Sequence, residues 1–331
     1  SAMVEEDDGE ILEMERRAVV VESWRFLGEH TLECKRHCAA LLEDVVQQLR
    51  CIKVERNQEG AMVVVDKPAK VFLESEDRAV VGSLRLSECH VQDFELSIRF
   101  PRYNKGASMH YSMVPKTTYL LRQVQDAVHS IERAADHVML LAHRPKAGKS
   151  SENGKETRDR PMDELPDPAE ELTRVAKTCS EVLRLLHEAQ GSLADWSTRT
   201  LPAMPQNWVR MKPPLPPDLV MQLFADGHSV VMRVCLVTRH PRCPPAKHQA
   251  CQGDSCERLK GSVLPFKGSW VEVLDATEAR CPLKPFAAAI TALTLVRQSV
   301  RDLMHNAEAL DFALAAAPAQ HSNAQAVSPA N

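Results

Sequence analysis

Five stretches of the chain repeat apolar residues at alternating steps of three and four, the spacing that holds one face of a helix against other helices. One stretch runs Leu121, Val124, Val128, Ile131, Ala135, Val138, Ala142, and another Leu172, Val175, Cys179, Val182, Leu186, Ala189, Leu193. Trp24, Leu27, Thr31, Cys34, Cys38, Leu41, Val45 and Ile52 form a third stripe, widened by Leu42 and Leu49, which predicts a helix from about Ile11 to Ile52. A second helix is expected from near Lys116. A third is expected from near Pro168, with Asp167 at its capping position and the proline in its first turn. The prolines of Pro213-Pro214-Leu215-Pro216-Pro217-Asp218 exclude an earlier start for the next segment. Val220, Leu223, Val230, Val234 and Val237 follow in register, so the spacing predicts a fourth helix with Gly227 on its stripe. The last stripe, Phe286, Ala289, Leu293, Val296, Val300, Leu303, Ala307, Leu310 and Leu314, fades into a low-complexity tail.

Between these stretches the period changes to two. Phe94, Leu96, Ile98 and Phe100 alternate with Glu95, Ser97 and Arg99, as a half-buried strand does, and Pro101 then closes the ladder. Leu84-Arg85-Leu86 and Met109 to Met113 alternate likewise, and Met62 to Val65 and Val71-Phe72-Leu73 are short β-rich runs. They predict a meander of about five strands between 61 and 114. Val263-Leu264 and Trp270 to Leu274 read as two further short strands joining the same sheet.

The expected fold class is therefore α+β: a mainly helical antiparallel bundle with heptad-like packing plus a separate small antiparallel β-sheet domain. The bundle would comprise 1–56, 116–240 and 282–314. The β domain would comprise 57–115 and, with a loop insertion, 241–281, leaving 315–331 as a disordered tail. The stretch 143–167 is rich in charged, Ser, Gly and Pro residues and is expected to be a mobile loop.

Composition narrows the function classes. A formal net charge of -4 gives no electrostatic reason to expect nucleic acid as a partner, and no apolar run is long enough to span a membrane. The acidic Glu5-Glu6-Asp7-Asp8 lacks the basic-then-apolar order of a secretory leader. With ten cysteines in no tight framework, it leads us to expect a reducing, cytoplasmic setting. Cys34 and Cys38, one helical turn apart on the buried stripe, read as packed thiols.

His240, Cys243, His248, Cys251 and Cys256 are weak candidates for zinc ligands. Their close pairs are mixed and match no family spacing, so a polar insertion with incidental thiols is expected, and no metal or cofactor is assigned. Gly148-Lys149-Ser150 lacks the earlier glycine of a phosphate loop, and the chain carries no Gly-x-Ser-x-Gly, His-Glu-x-x-His or Gly-x-Gly-x-x-Gly. No catalytic residue is assigned, and a non-enzymatic protein is expected.

Several segments, taken in order, resemble the Rogdi leucine-zipper family: Glu22 to Leu27, Gly82 to Leu86, Leu96, Pro101-Arg102-Tyr103-Asn104, Leu121 to Ala127, Leu215-Pro216-Pro217-Asp218-Leu219 and Trp270 to Val273. The stretch 143–167 and the Cys/His loop near 240–256 depart from the family pattern. The resemblance implies an elongated molecule in which a helical bundle holds both termini and a β domain stands apart. It further implies an adaptor, the small subunit of the RAVE complex. Its partners would be a large β-propeller subunit and subunits of the vacuolar proton-pumping ATPase, whose assembly it would promote. No nucleic acid is expected, and membrane association would be peripheral, through partners, at acidic organelles. Arg102, Tyr103 and Asn104 are the candidate partner-binding residues, with a turn at Asn104 and a packed Tyr103 as the plain structural reading. The competing functional reading is a helical-bundle protein, unrelated to the pump, that self-associates through a heptad face. Outside a complex the chain is expected to be monomeric.

Overall fold

The computed structural model describes residues 2–50, 53–56, 62–65, 69–141, 168–194, 211–240, 259–266 and 268–316. They contain four α-helices and twelve strands in the order α1 (Ala2–Leu49), β1 (Lys53–Arg56), β2 (Met62–Val65), β3 (Ala69–Ser75), β4 (Val80–Ser87), β5 (His90–Ile98), β6 (Met109–Met113), β7 (Tyr119–Leu120), α2 (Arg122–Met139), α3 (Pro168–Ala194), β8 (Met211–Lys212), β9 (Leu219–Asp226), β10 (Ser229–His240), β11 (Val263–Phe266), β12 (Ser269–Pro282) and α4 (Lys284–Ala316). The predicted loop 143–167 with its Asp167 cap, the positions Ile52 and Ala142, and the tail beyond 316 lie outside the described residues.

The chain divides into two compact units, one of 1–43, 132–186 and 293–331 and the other of 44–131 and 187–292. In the first unit the helical stripes meet in an apolar core. Leu27, Cys38 and Leu42 of α1, Val138 of α2, Leu172, Val175, Cys179, Val182 and Leu186 of α3, and Leu293, Val296, Val300 and Ala307 of α4 are all buried. α3 forms because Pro168 pre-sets its first turn, Glu170 and Glu171 place negative charge at its positive end, and one face alone is apolar.

The second unit is built on a ten-stranded sheet whose path runs β8-β6-β5-β4-β3-β12-β10-β9, with β11 on β12 and β7 on β5. Each pairing in that sheet is antiparallel. The pair β1–β2 forms a separate two-stranded sheet. The inner face of the large sheet carries Val71, Leu73, Leu84, Leu86, Phe94, Leu96 and Ile98. A further cluster joins Val220, Cys235, Val237, Leu264, Val271 and Val273.

This sheet overturns the expectation of a mainly helical bundle with a small β domain. The predicted fourth helix is the hairpin β9–β10, paired from Asp226↔Ser229 to Leu219↔Leu236. The physical reason lies in burial: from Leu219 to Ala225 and from Ser229 to Val237 every residue is buried. A strand covered on both faces reads as a continuous apolar run, and such a run satisfies helical spacing as readily as any other. Gly227 marks the hairpin turn rather than a helix crossing. It adopts φ +57° as the first central residue of a two-residue loop, a conformation that follows the twist of the flanking strands.

The outer edge of β9 does not lie open. Gln123 Oε1 accepts from the Ala225 amide at 2.8 Å, and the Tyr119 hydroxyl donates to the Leu223 carbonyl at 3.4 Å, occupying groups that would otherwise invite another strand.

Candidate functional site

The chain leaves β5 through Phe100 and Pro101 and turns on three successive residues in the left-handed region, Asn104 (φ 48°), Lys105 (φ 56°) and Gly106 (φ 72°). Asn and Gly tolerate this region and Lys does so at a cost, so the turn must be held from outside. It is. The Tyr103 amide donates to the Phe100 carbonyl at 3.1 Å, Gly106 to Tyr103 at 2.8 Å and Ala107 to Asn104 at 3.0 Å, while Arg99 Nε reaches the Gly106 carbonyl at 2.9 Å. The result presents Arg102, Asn104 and Lys105 to solvent and turns Tyr103 inward, half-buried.

Tyr103 is anchored by a residue far away in sequence. Its hydroxyl donates to Asp218 Oδ1 at 3.0 Å. Asp218 stands at the head of β9, where the Leu219 amide bonds the Pro216 carbonyl at 3.1 Å and the Asp218 carbonyl accepts from Val237 at 2.8 Å. The segments Pro101 to Asn104 and Leu215 to Leu219 therefore form one corner. Burial pushes the Tyr103 hydroxyl up to about 12, and its bond to Asp218 and the charge of that carboxylate act in the same direction.

A raised tyrosine value favours the neutral form in the folded state. That contribution is whole below the ordinary value of 10.0 and is lost as pH climbs through about 12. Tyr103→Phe should lower stability by about 1 kcal/mol at neutral pH. It should also remove the late-titrating phenol from an ultraviolet absorbance titration. Loss of an earlier-titrating phenol, with the last one retained, would separate Tyr103 from Asp218.

Beside this corner lies the solvent face of the sheet. Along β3 the alternation is strict, with Val71, Leu73 and Ser75 buried and Lys70, Phe72 and Glu74 exposed. The register sets Phe72 opposite Ser83, Ser83 opposite Glu95, Glu95 opposite Ser112 and Ser112 opposite Lys212, a single row across five strands. The neighbouring row runs Glu74, Val81, Ser97, His110. Small serines flank Glu95 in the first row and Ser97 lies inside the second, so the face sinks into a groove of ≈ 610 Å³ between Phe72 and Val81 on one side and His110 and Lys212 on the other.

Phe72 is 68% and Val81 40% exposed, and Lys70 Nζ stands 5.2 Å from the Phe72 ring centroid, within cation–π range. Gly82 lets β4 and β5 approach here. A Cβ on it would stand 2.2 Å from the Glu95 carbonyl oxygen and 2.6 Å from Leu96 Cδ2.

Of the residues singled out in the sequence, Arg102, Tyr103 and Asn104 come together with the LPPDL segment. His240 ends β10 half-buried, whereas Cys243, His248, Cys251 and Cys256 lie outside the described residues. Among the described residues no group of three or more His, Cys, Asp or Glu is placed to hold a metal ion. No described helix is long and apolar enough to cross a membrane. Phe72, Gly82 and Lys212 escaped the sequence reading as surface residues. The signal for Phe72 was present, since period two places it opposite to Val71 and Leu73.

A second polar constellation is structural. Arg233 Nε donates to Glu278 Oε1 at 2.7 Å, with the guanidinium carbon 5.1 Å from the centroid of the Phe224 ring. Arg280 bridges Glu278 Oε2 at 2.9 Å and Asp226 Oδ2 at 2.7 Å.

The family model for the Rogdi leucine zipper containing protein matches residues 36–264, a span that holds the corner, the groove and the hairpin β9–β10. The chain belongs to that family. No curated protein matches it.

Proposed function

We propose that this protein is a non-catalytic adaptor that binds other proteins through the solvent face of its sheet and the adjoining Arg102-Tyr103-Asn104 corner, and that it serves a RAVE-like complex promoting assembly of the vacuolar proton-pumping ATPase. Membership of the Rogdi family carries this reading. The surface supports it: an exposed aromatic beside a shallow groove, with Lys70, His110 and Lys212 around it and Glu95 across its middle, has the make-up of an interface anchor among polar groups. A strained turn held rigid by five hydrogen bonds, including the one to Asp218, presents Arg102 and Asn104 without a large ordering cost on binding.

In this reading the chain works on the cytoplasmic side of acidic organelles and reaches the membrane through its partners, a large β-propeller subunit and subunits of the pump. Full-length tagged protein purified from its native cells should recover both. Recovery of neither, under conditions that preserve weak complexes, refutes the assignment to the pump.

A further inference from the structure

The first helical unit holds a cluster of thiols that the adaptor reading does not use. Cys34 and Cys38 stand one turn apart on α1 with their sulfurs 3.7 Å apart, both free. Cys38 is fully buried, and Cys34 is half-buried, with its Sγ also 3.9 Å from the Ser299 carbonyl of α4. On sequence alone this pair reads as packing. The geometry adds a direction: one residue of the pair is half-buried and the other is fully buried, with the two sulfurs in contact.

We propose that Cys34 and Cys38 form a peroxide-reactive dithiol, with Cys34 the sulfur oxidised first and Cys38 the sulfur that resolves it. The Cys34 thiolate attacks one oxygen of hydrogen peroxide. The O–O bond breaks, hydroxide leaves, and Cys34 becomes a sulfenic acid while the peroxide is reduced by two electrons. The Cys38 sulfur then attacks the Cys34 sulfur, the S–S bond forms as the S–O bond breaks, and the departing oxygen takes the Cys38 proton and leaves as water.

The two thiols are pushed apart in acidity in the sense this order requires. The hydrogen bond between them lowers Cys34 and raises Cys38, which burial raises further. Cys179 on α3 is raised to about 12 by burial, so it is a poorer first nucleophile than Cys34, and Cys38 is favoured as the resolving sulfur by its position 3.7 Å from Cys34.

Helical geometry makes the product labile. Residues four apart on a helix have Cβ atoms about 5–6 Å apart. A disulfide needs about 3.5–4.5 Å. Closure therefore displaces one turn of α1, and the strained bond should yield readily to a thiol reductant.

The test uses the full chain, treated with hydrogen peroxide, alkylated and digested with trypsin. Lys35 and Arg36 lie between the two cysteines, so the disulfide would join two tryptic peptides that reduction separates. We expect that linked pair, its loss in Cys34→Ser, and in Cys38→Ser a sulfenic acid at Cys34 trapped by dimedone. Two results overturn the proposal. One is Cys34 and Cys38 both remaining alkylatable while other cysteines oxidise. The other is Cys34 linked to Cys179 with Cys38 left free.

Discussion

Replacing Glu278 by leucine should destabilise the sheet unit by about 3–5 kcal/mol, the range for removing one partner of a buried ion pair. The Arg233 side chain is 2% exposed and the Glu278 side chain 8%, and the guanidinium makes bonds of 2.7 and 2.6 Å to a single carboxylate oxygen. Without Glu278, the buried guanidinium is left, among the described residues, with the Phe224 ring facing it at 5.1 Å, far less than the hydration it gave up.

The reverse change, Arg233→Met, should cost less, because Glu278 keeps Arg280 at 2.9 Å with access to water. The double variant Arg233→Met with Glu278→Leu should recover most of the loss, since neither charge then remains buried. Urea unfolding of the four proteins gives the coupling directly. Equal losses in the two single variants, with simple addition in the double, would show that the pair is not the unit that matters.

The second large effect belongs to Gly82→Val. The first added carbon would meet the Glu95 carbonyl oxygen at 2.2 Å, and a main-chain oxygen within a paired ladder cannot swing aside as a side chain can. β4 and β5 must separate where Gly82 pairs with Leu96. Overpacking of this kind typically costs about 1–3 kcal/mol, and the backbone location places this case at or above the upper end. Because Gly82 lies within the groove, the same change should deform the surface proposed for partners. Thermal unfolding should show a fall in midpoint larger than that of Ser83→Val next to it. Equal midpoints would mean the strands have room that the register denies them.

How much of this the sequence revealed depends on whether an element has one wet face. α3 and α4 were legible because Leu172 to Leu193 and Phe286 to Ala307 bury a single stripe and leave charges elsewhere. β3 to β6 were legible for the same reason at period two. β9 and β10 were not, since residues buried on both sides erase the period, and the apparent helical spacing placed Gly227 on a helix stripe instead of in the hairpin turn.

The site divides in the same way. Arg102, Tyr103 and Asn104 could be singled out locally, but the bond from Tyr103 to Asp218 spans 115 positions and only the fold brings its ends together. Arg233 is the one charge in the apolar run from Val230 to Val237, and matching it to Glu278 needed the β10–β12 register.

The most direct test of the central claim, that this chain binds partners through the solvent face of its sheet, is quantitative co-purification of the full-length protein against its Phe72→Asp variant. Phe72 projects into water and packs no core, so its loss should leave the unfolding midpoint unchanged. An aromatic anchor contributes about 2 kcal/mol or more to an interface, so partner affinity should fall by roughly thirtyfold. Undiminished recovery of the same partners by a folded Phe72→Asp protein would contradict the account.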